Sequence, residues 1–235
     1  MRKSIVIVDD FYAELQSVRK YALECEWYSP YREGNQRPTW HSTQYRAAAD
    51  CPFKSSSRLI ETLEQLTGDT IDLEDWKATF PTACDGRADV QAGTHPAGTL
   101  WNCSFHFKPS WNRQKLGRGV HNHVVDDWNR VGTDGWAGLI YLDPRAPLDG
   151  GLKMWRNVDP ARNLDWGGPA ENWELVDDLG NVPNRLILHR GNLPHSGTAG
   201  WGETAEEGRL YQTFFFKVAP VTHPVPAGLE LAGRG

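Results

Sequence analysis

With 235 residues, 39 % of them hydrophobic, the chain has the length of one globular domain and can bury a substantial core. Its 25 basic and 30 acidic side chains nearly cancel, which gives no electrostatic reason to expect duplex nucleic acid or an anionic membrane as a partner. No stretch approaches the ~20 apolar residues of a membrane span, and the run Ile5 to Val8 is too short for the core of a signal peptide.

In chain order, "SIVIVDD" predicts a short β-branched strand, and Phe11, Leu15, Val18 and Ala22 recur at helical spacing behind it. Residues 28–54 are polar and irregular and read as a loop. A second helix is expected from about Ser56 to Leu66, with Leu59, Leu63 and Leu66 on one face and serines able to cap its start. Residues 68–99 carry weak signals. From residue 100 the texture changes to short strand-like runs bounded by Gly, Pro, Asn or Asp: "LWNCSFHF", "RGVHNHVV", "GWAGLIYL", "GLKMWRN", "NRLILHR" and "GRLYQTFFFKV". One helical turn is expected near "PAENWELVDDLG", and residues 219–235 read as a tail. Such a succession implies a mainly β sandwich or barrel, and eleven tryptophans with 15 prolines and 23 glycines fit a loop-rich β protein. Cys25, Cys51, Cys84 and Cys103 form no C-x-x-C pair, so free thiols in a reducing cytoplasm are expected.

The chemistry-bearing residues lie in the second half. His121 and His123 in "GVHNHVVDDW" stand two apart, and on a strand they would project from one face. Imidazole suits iron, zinc, copper or nickel, yet an isolated H-x-H in a β protein is more often structural. His195 follows a strand and the turn "GNLP", a place where a side chain can point into the mouth of a barrel. His189 alternates with Ile187 within that strand and reads as a packed or hydrogen-bonded histidine. Arg209 opens "GRLYQTFFF" and is either a solvated strand end or a fixed fork for a carboxylate. Alternation places Arg209, Tyr211, Thr213 and Phe215 on one face.

The order of these features, a histidine-bearing strand end, "WAGLIYLDP", a Gly-Gly strand, "LILHRGNLPHSG" and "GRLYQTFFF", resembles the double-stranded β-helix core of the iron(II)/2-oxoglutarate-dependent oxygenases, particularly prolyl-hydroxylase-like members, over residues 100–218. The segment "IVIVDDFYAELQSVRKYAL" is similar to the N-terminal portion of small bacterial and phage members. The resemblance implies a jelly-roll or cupin-like core with N-terminal helices packed on it, residues 1–218 forming one domain. It further implies Fe(II), 2-oxoglutarate and O2 as cofactors, a small-molecule or peptide substrate, and hydroxylation of a C–H bond. Carried over by position, it makes His121 the first iron ligand and His195 the last. Arg209 then binds the distal carboxylate of 2-oxoglutarate, with help from Tyr141 and Thr213. Taken alone, Tyr141 reads as a core tyrosine.

The chain departs from the family pattern H-x-D at residue 123. Three readings stand: His123 itself ligates, giving three histidines; His123 and Asp126 ligate, with a bulge absorbing the extra residue; or the site is degenerate. Asp126 and Asp127 read otherwise as solvated acids or as partners that orient a ligand imidazole. Trp101, Trp128, Trp136 and Trp155 are expected to build core, Trp155 and Trp128 being candidates for the substrate wall with Arg37. Arg37 and Arg113 read first as surface arginines. Trp201 and "GETAEEG" form a loop placed to act as a lid. Two alternatives of other classes remain: a non-catalytic β-barrel binding protein, and a three-histidine cupin-like dioxygenase that uses no 2-oxoglutarate.

Overall fold

The computed structural model describes residues 3–28, 41–79, 100–110, 119–124, 129–159 and 170–220. Nine strands are formed among them: β1 (Ile5–Val8), β2 (His41–Ser42), β3 (Phe105–Lys108), β4 (Trp136–Tyr141), β5 (Leu152–Asn157), β6 (Trp173–Leu179), β7 (Leu186–Arg190), β8 (His195–Gly197) and β9 (Arg209–Phe216). They build two antiparallel sheets, a large one in the order β1-β7-β4-β9-β3-β2 and a small one in the order β6-β5-β8. A single bridge between His121 and His195 adds one further rung at the free side of β8.

Side-chain parity divides the large sheet into two buried faces. Phe105 and Phe107 of β3, Ile140 of β4, Leu186 and Leu188 of β7, and Phe214 and Phe216 of β9 form the main core with the helices. The alternate residues Leu139 and Tyr141 of β4, Ile187 of β7 and Tyr211 of β9 meet Leu152 and Met154 of β5 in a second cluster between the sheets. Because both faces are covered, β4, β7 and β9 read as nearly continuous apolar runs rather than clean alternations.

Three helices cover the outer face: α1 (Leu15–Glu24), α2 (Ser57–Thr67) and α3 (Leu73–Trp76). The α2 helix starts as its sequence dictates, the Ser56 hydroxyl accepting from the Leu59 amide at 3.2 Å, and stops at Gly68, whose φ of 78° is the left-handed conformation glycine tolerates. The short α3 lies in the stretch of weak sequence signals; Asp72 caps it by accepting from the Glu74 and Asp75 amides.

One unexpected strand appears, and two expected elements turn out differently. "PAENWELVDDLG" holds the expected helical turn, a 3-10 turn at Ala170–Asn172, and then becomes β6. Leu175 and Val176 are both exposed there, so β6 shows no apolar alternation that would have revealed it. In "LWNCSFHF" the strand begins only at Phe105, because Cys103 adopts a φ of 64°. "RGVHNHVV" is not a regular strand in its described part. The Val124 amide donates to the Asn122 side chain at 2.9 Å, a local turn that bends the chain just past His121. Much of the predicted 28–54 loop and nearly all of the predicted tail lie outside the described residues.

One ionic network ties the helical layer to the sheet. Asp69, just past α2, accepts from the Trp136 indole at 2.9 Å and pairs with Arg190 at 2.7 Å, while the Arg190 guanidinium lies 4.0 Å from the centre of the Trp136 ring. Arg190 is buried at the end of β7, so removing its acid leaves a poorly compensated charge in the interior. Asp69→Ala is expected to lower the unfolding free energy by about 2–4 kcal/mol in denaturant titration, and Asp69→Asn, which keeps the acceptor for Trp136, by less.

Candidate metal centre and anion pocket

The three histidines are brought together by backbone contacts. The His195 amide donates to the His121 carbonyl at 2.9 Å and the His121 amide to the His195 carbonyl at 3.0 Å, so the two residues face each other across one antiparallel rung. Two residues on, the His123 amide donates to the Gly191 carbonyl at 2.6 Å, and the His123 carbonyl accepts from Val131 and Gly132 at 3.0 and 3.1 Å. That close approach needs a glycine at 191: a Cβ there would stand 2.2 Å from the Gly132 carbonyl oxygen.

His121, His123 and His195 each offer a ligand nitrogen, all within 4.8 Å of one another. The His195 ring centre lies 4.4 Å from that of His121 and 4.9 Å from that of His123. Nδ1 of His121 lies 2.9 Å from the Gly119 carbonyl and Nδ1 of His195 lies 3.0 Å from the Leu193 carbonyl. A carbonyl only accepts, so both imidazoles carry a proton on Nδ1, which leaves Nε2 as the atom open to a metal. Burial, reinforced by the neighbouring histidines, holds His195 well below the usual imidazole range and therefore neutral. Neutral, oriented imidazoles are the donors that a divalent transition metal takes, and the set fits such an ion.

A fourth histidine stands beside them. His189 is buried on the inner face of β7, its ring centre 4.1 Å from His195 and 6.2 Å from His123. It is packed, with Nδ1 3.0 Å from the Arg190 carbonyl, and burial drives its pKa down to about 3. Its parity with Ile187 was the signal that it faces the same interior as the ligand candidates.

The second feature is a buried guanidinium. Arg209 is 2 % exposed, and its Nε donates to the Gly150 carbonyl at 3.1 Å. Its Nη2 and the Tyr141 hydroxyl are both buried and make no hydrogen bond among the described residues. The guanidinium carbon lies 4.8 Å from the centre of the Tyr211 ring and 5.9 Å from that of Tyr141. Burial pushes the Tyr141 phenol up to about 12, against the opposing pull of the Arg209 cation. A buried cation and a neutral hydroxyl donor between two aromatic rings are groups suited to receive an anion. Thr213 stands apart from it, ~13 Å along β9 from Arg209. Its hydroxyl is engaged with His106 Nε2 at 2.8 Å and the Trp101 carbonyl at 3.0 Å, and Tyr211 takes the position against Arg209.

The short β8 joins the two features. His195 opens it and Gly197 closes it, with a Cβ at Gly197 falling 3.4 Å from Arg209 Nη1. Residues two apart on a strand are ~7 Å apart and share a face, so His195 and the residue against which Arg209 lies stand on the same side of β8.

The other candidates are placed less decisively. Trp155 packs with Val120 and Trp173, and its indole donates to the Ser196 hydroxyl at 2.9 Å. The Trp201 indole donates to Asp143 at 3.0 Å, anchoring the start of the "GETAEEG" loop against the turn after β4. Arg37, Arg113, Asp126, Asp127 and Trp128 lie outside the described residues. Among the described residues no helix is long and apolar enough to cross a membrane.

No family model and no curated protein matches the chain. Among solved structures it is similar to a prolyl hydroxylase from Trichoplax adhaerens in complex with a hypoxia inducible factor peptide, at 14 % identity and a TM-score of 0.43, over 91 % of this chain and 83 % of that one. A Pseudomonas putida prolyl-4-hydroxylase is similar at 18 % identity and a TM-score of 0.41, over 92 % and 93 % of the two chains. EctD from S. alaskensis, solved with 2-oxoglutarate and 5-hydroxyectoine, is similar at 12 % identity and a TM-score of 0.43, over 90 % and 72 %. Likenesses this remote carry no argument about activity, which rests on the chain's own side chains.

Proposed function

We propose that the protein is an iron(II)- and 2-oxoglutarate-dependent oxygenase that hydroxylates a C–H bond of a small molecule or peptide, using His121, His123 and His195 as metal ligands. The observation that carries this reading is the three-imidazole cluster at one end of β8, where His195 opens it, with the buried Arg209 guanidinium against Gly197 at the other end. A five-carbon oxoacid likewise carries a chelating end and an anionic end. We take residues 1–218 as one domain on a double-stranded β-helix core, a reading supported by strand order. The sequence β7-β4-β9-β3 in one sheet faces β6-β5-β8 and the His121 rung in the other, the interleaving that a chain wound twice around a barrel produces.

When bound, ferrous iron supplies the redox chemistry by which O2 oxidises the oxoacid to succinate and CO2 and places one oxygen atom on the substrate carbon. The protein's own contribution is positional. The His121 and His195 rings are held by carbonyls on Nδ1 and present Nε2. Arg209 donates to the distal carboxylate from one side, and Tyr141, kept protonated by burial, donates its hydroxyl. The apolar residues Leu139, Ile187, Leu152 and Met154 exclude water between the sheets. An imidazole in place of a carboxylate at residue 123 leaves the centre one unit more positive, which favours an anionic cosubstrate.

The third imidazole also motivates a second reading, a cupin-like three-histidine dioxygenase without 2-oxoglutarate. A melting experiment tests the ligand set, and two experiments with the oxoacid separate the readings. Under anaerobic conditions Fe(II) is expected to raise the melting temperature by several degrees, with the shift lost in His195→Ala and His123→Ala and kept in Asp126→Ala. Loss of the shift in Asp126→Ala as well as in His123→Ala would make Asp126 a ligand alongside His123. Addition of 2-oxoglutarate to the Fe(II) protein is expected to produce the weak visible charge-transfer band of a chelated oxoacid, and its absence from fully metallated protein overturns the oxygenase reading. Arg209→Ala should weaken 2-oxoglutarate binding about 100-fold while sparing a cupin-type activity.

A further inference from the structure

We propose that Ala137 and Phe215 form the berth in which the His123 imidazole lies, so that the small side chain at residue 137 is what admits a third imidazole beside His121 and His195. The proposal rests on the three-imidazole ligand set given above and adds the residues that position its third member.

On the inner face of the large sheet one rung runs across three strands. Ala137 of β4 pairs with His189 of β7 on one side and with Phe215 of β9 on the other. By parity these three face the same way as Leu139, Ile187 and Tyr211, which line the space between the sheets. Neighbouring strands lie ~4.8 Å apart, so His189 and Phe215 stand ~10 Å from each other with Ala137 between them. The His123 ring centre is 6.2 Å from that of His189 and 5.0 Å from that of Phe215. Together those distances only slightly exceed the gap, which places the imidazole between the two rings and over the Ala137 methyl group. The His123 ring lies near-parallel to His189, with 23° between their planes, and presents itself edge-on to Phe215, at 69°.

The floor of this berth is tightly packed. Ala137 is fully buried and belongs to a cluster with Leu100, Trp101, Val131 and Phe215. Val131 also donates its amide to the His123 carbonyl at 3.0 Å, so floor and imidazole are tied to the same turn. Along the inner row of β4 the side chains are Ala137, Leu139 and Tyr141, small only where the imidazole stands. Two further methyl groups at residue 137 would enter the space of the ring, and a close-packed interior has no free volume to absorb them. The displaced ring would carry its nitrogen out of the three-atom set, leaving two ligands where there were three. Ala137 and Phe215 are thus positioning residues, acting on the metal through His123.

The test is titration with Co(II), followed by its visible absorption, in wild type, Ala137→Val, His123→Ala and the double variant. Ala137→Val is expected to weaken Co(II) about 10- to 100-fold and to move the absorption toward that of His123→Ala. In the His123→Ala background the same substitution is expected to cost less than about threefold, because the ring it displaces is already gone. Co(II) binding by Ala137→Val within about twofold of wild type overturns the proposal. Equal losses in the two backgrounds do so as well, since they mark general damage to the sheet. If Ala137→Val fails to fold, Phe215→Leu, which removes the other wall, is titrated under the same criteria. A His123→Ala variant that binds Co(II) as wild type does removes the three-imidazole ligand set and the berth with it. One that loses affinity beside an unaffected Ala137→Val removes the berth alone.

Discussion

The arrangement depends on one reciprocal backbone pair, the two hydrogen bonds that His121 and His195 exchange. Among the described residues it is the sole sheet rung of the 119–124 segment, because the chain bends at Asn122. A single rung is weak in isolation, so the segment is held further along by His123, whose amide and carbonyl are both bound in the turn region beside β7. The three-imidazole cluster is thus assembled from the 119–124 segment and the first residue of the short β8. That is a common division of labour, in which the sheets supply rigidity and the connections supply chemistry.

The large sheet serves two environments at once. Its outer face is apolar and packed by α1, α2 and α3, which fixes the strands. Its inner face carries His106, Lys108, Arg209, Tyr211, Tyr141 and His189, an uncommon density of polar and ionisable groups for a buried surface. Each such group costs desolvation, and the apolar outer layer together with the Asp69–Arg190–Trp136 network offsets that cost. The stability of the helical face and the polarity of the inner face are parts of one arrangement.

Much of this was legible in the sequence, for identifiable reasons. The α2 helix announced itself through Ser56 and the leucine spacing, and β4, β7 and β9 through dense β-branched and aromatic runs. His195 and Arg209 were readable because turn residues bracket them. Other features were not. The β6 strand lies at the edge of the small sheet with exposed Leu175 and Val176, so its pattern carries no face preference. Lys108 carries no signal of burial in the sequence, because that burial depends on the loop after β8. His189 was legible as a packed histidine but not as a neighbour of His195, since that contact joins the inner face of β7 to the strand after the turn. Thr213 shares a face with Arg209 yet bonds to His106, because strand parity fixes direction and not distance along the strand.

The absence of a carboxylate from the three-imidazole set alters the order of events on the proposed reading. Three neutral ligands leave the full double charge of a ferrous ion uncompensated within the ligand set. The cosubstrate then supplies the negative charge that an aspartate would otherwise provide permanently. Ion and oxoacid become thermodynamically linked, each raising the affinity for the other by the same factor. A protein built this way would retain metal weakly in the absence of oxoacid and firmly in its presence, so that the cellular supply of one small molecule would govern how much of the enzyme is metallated.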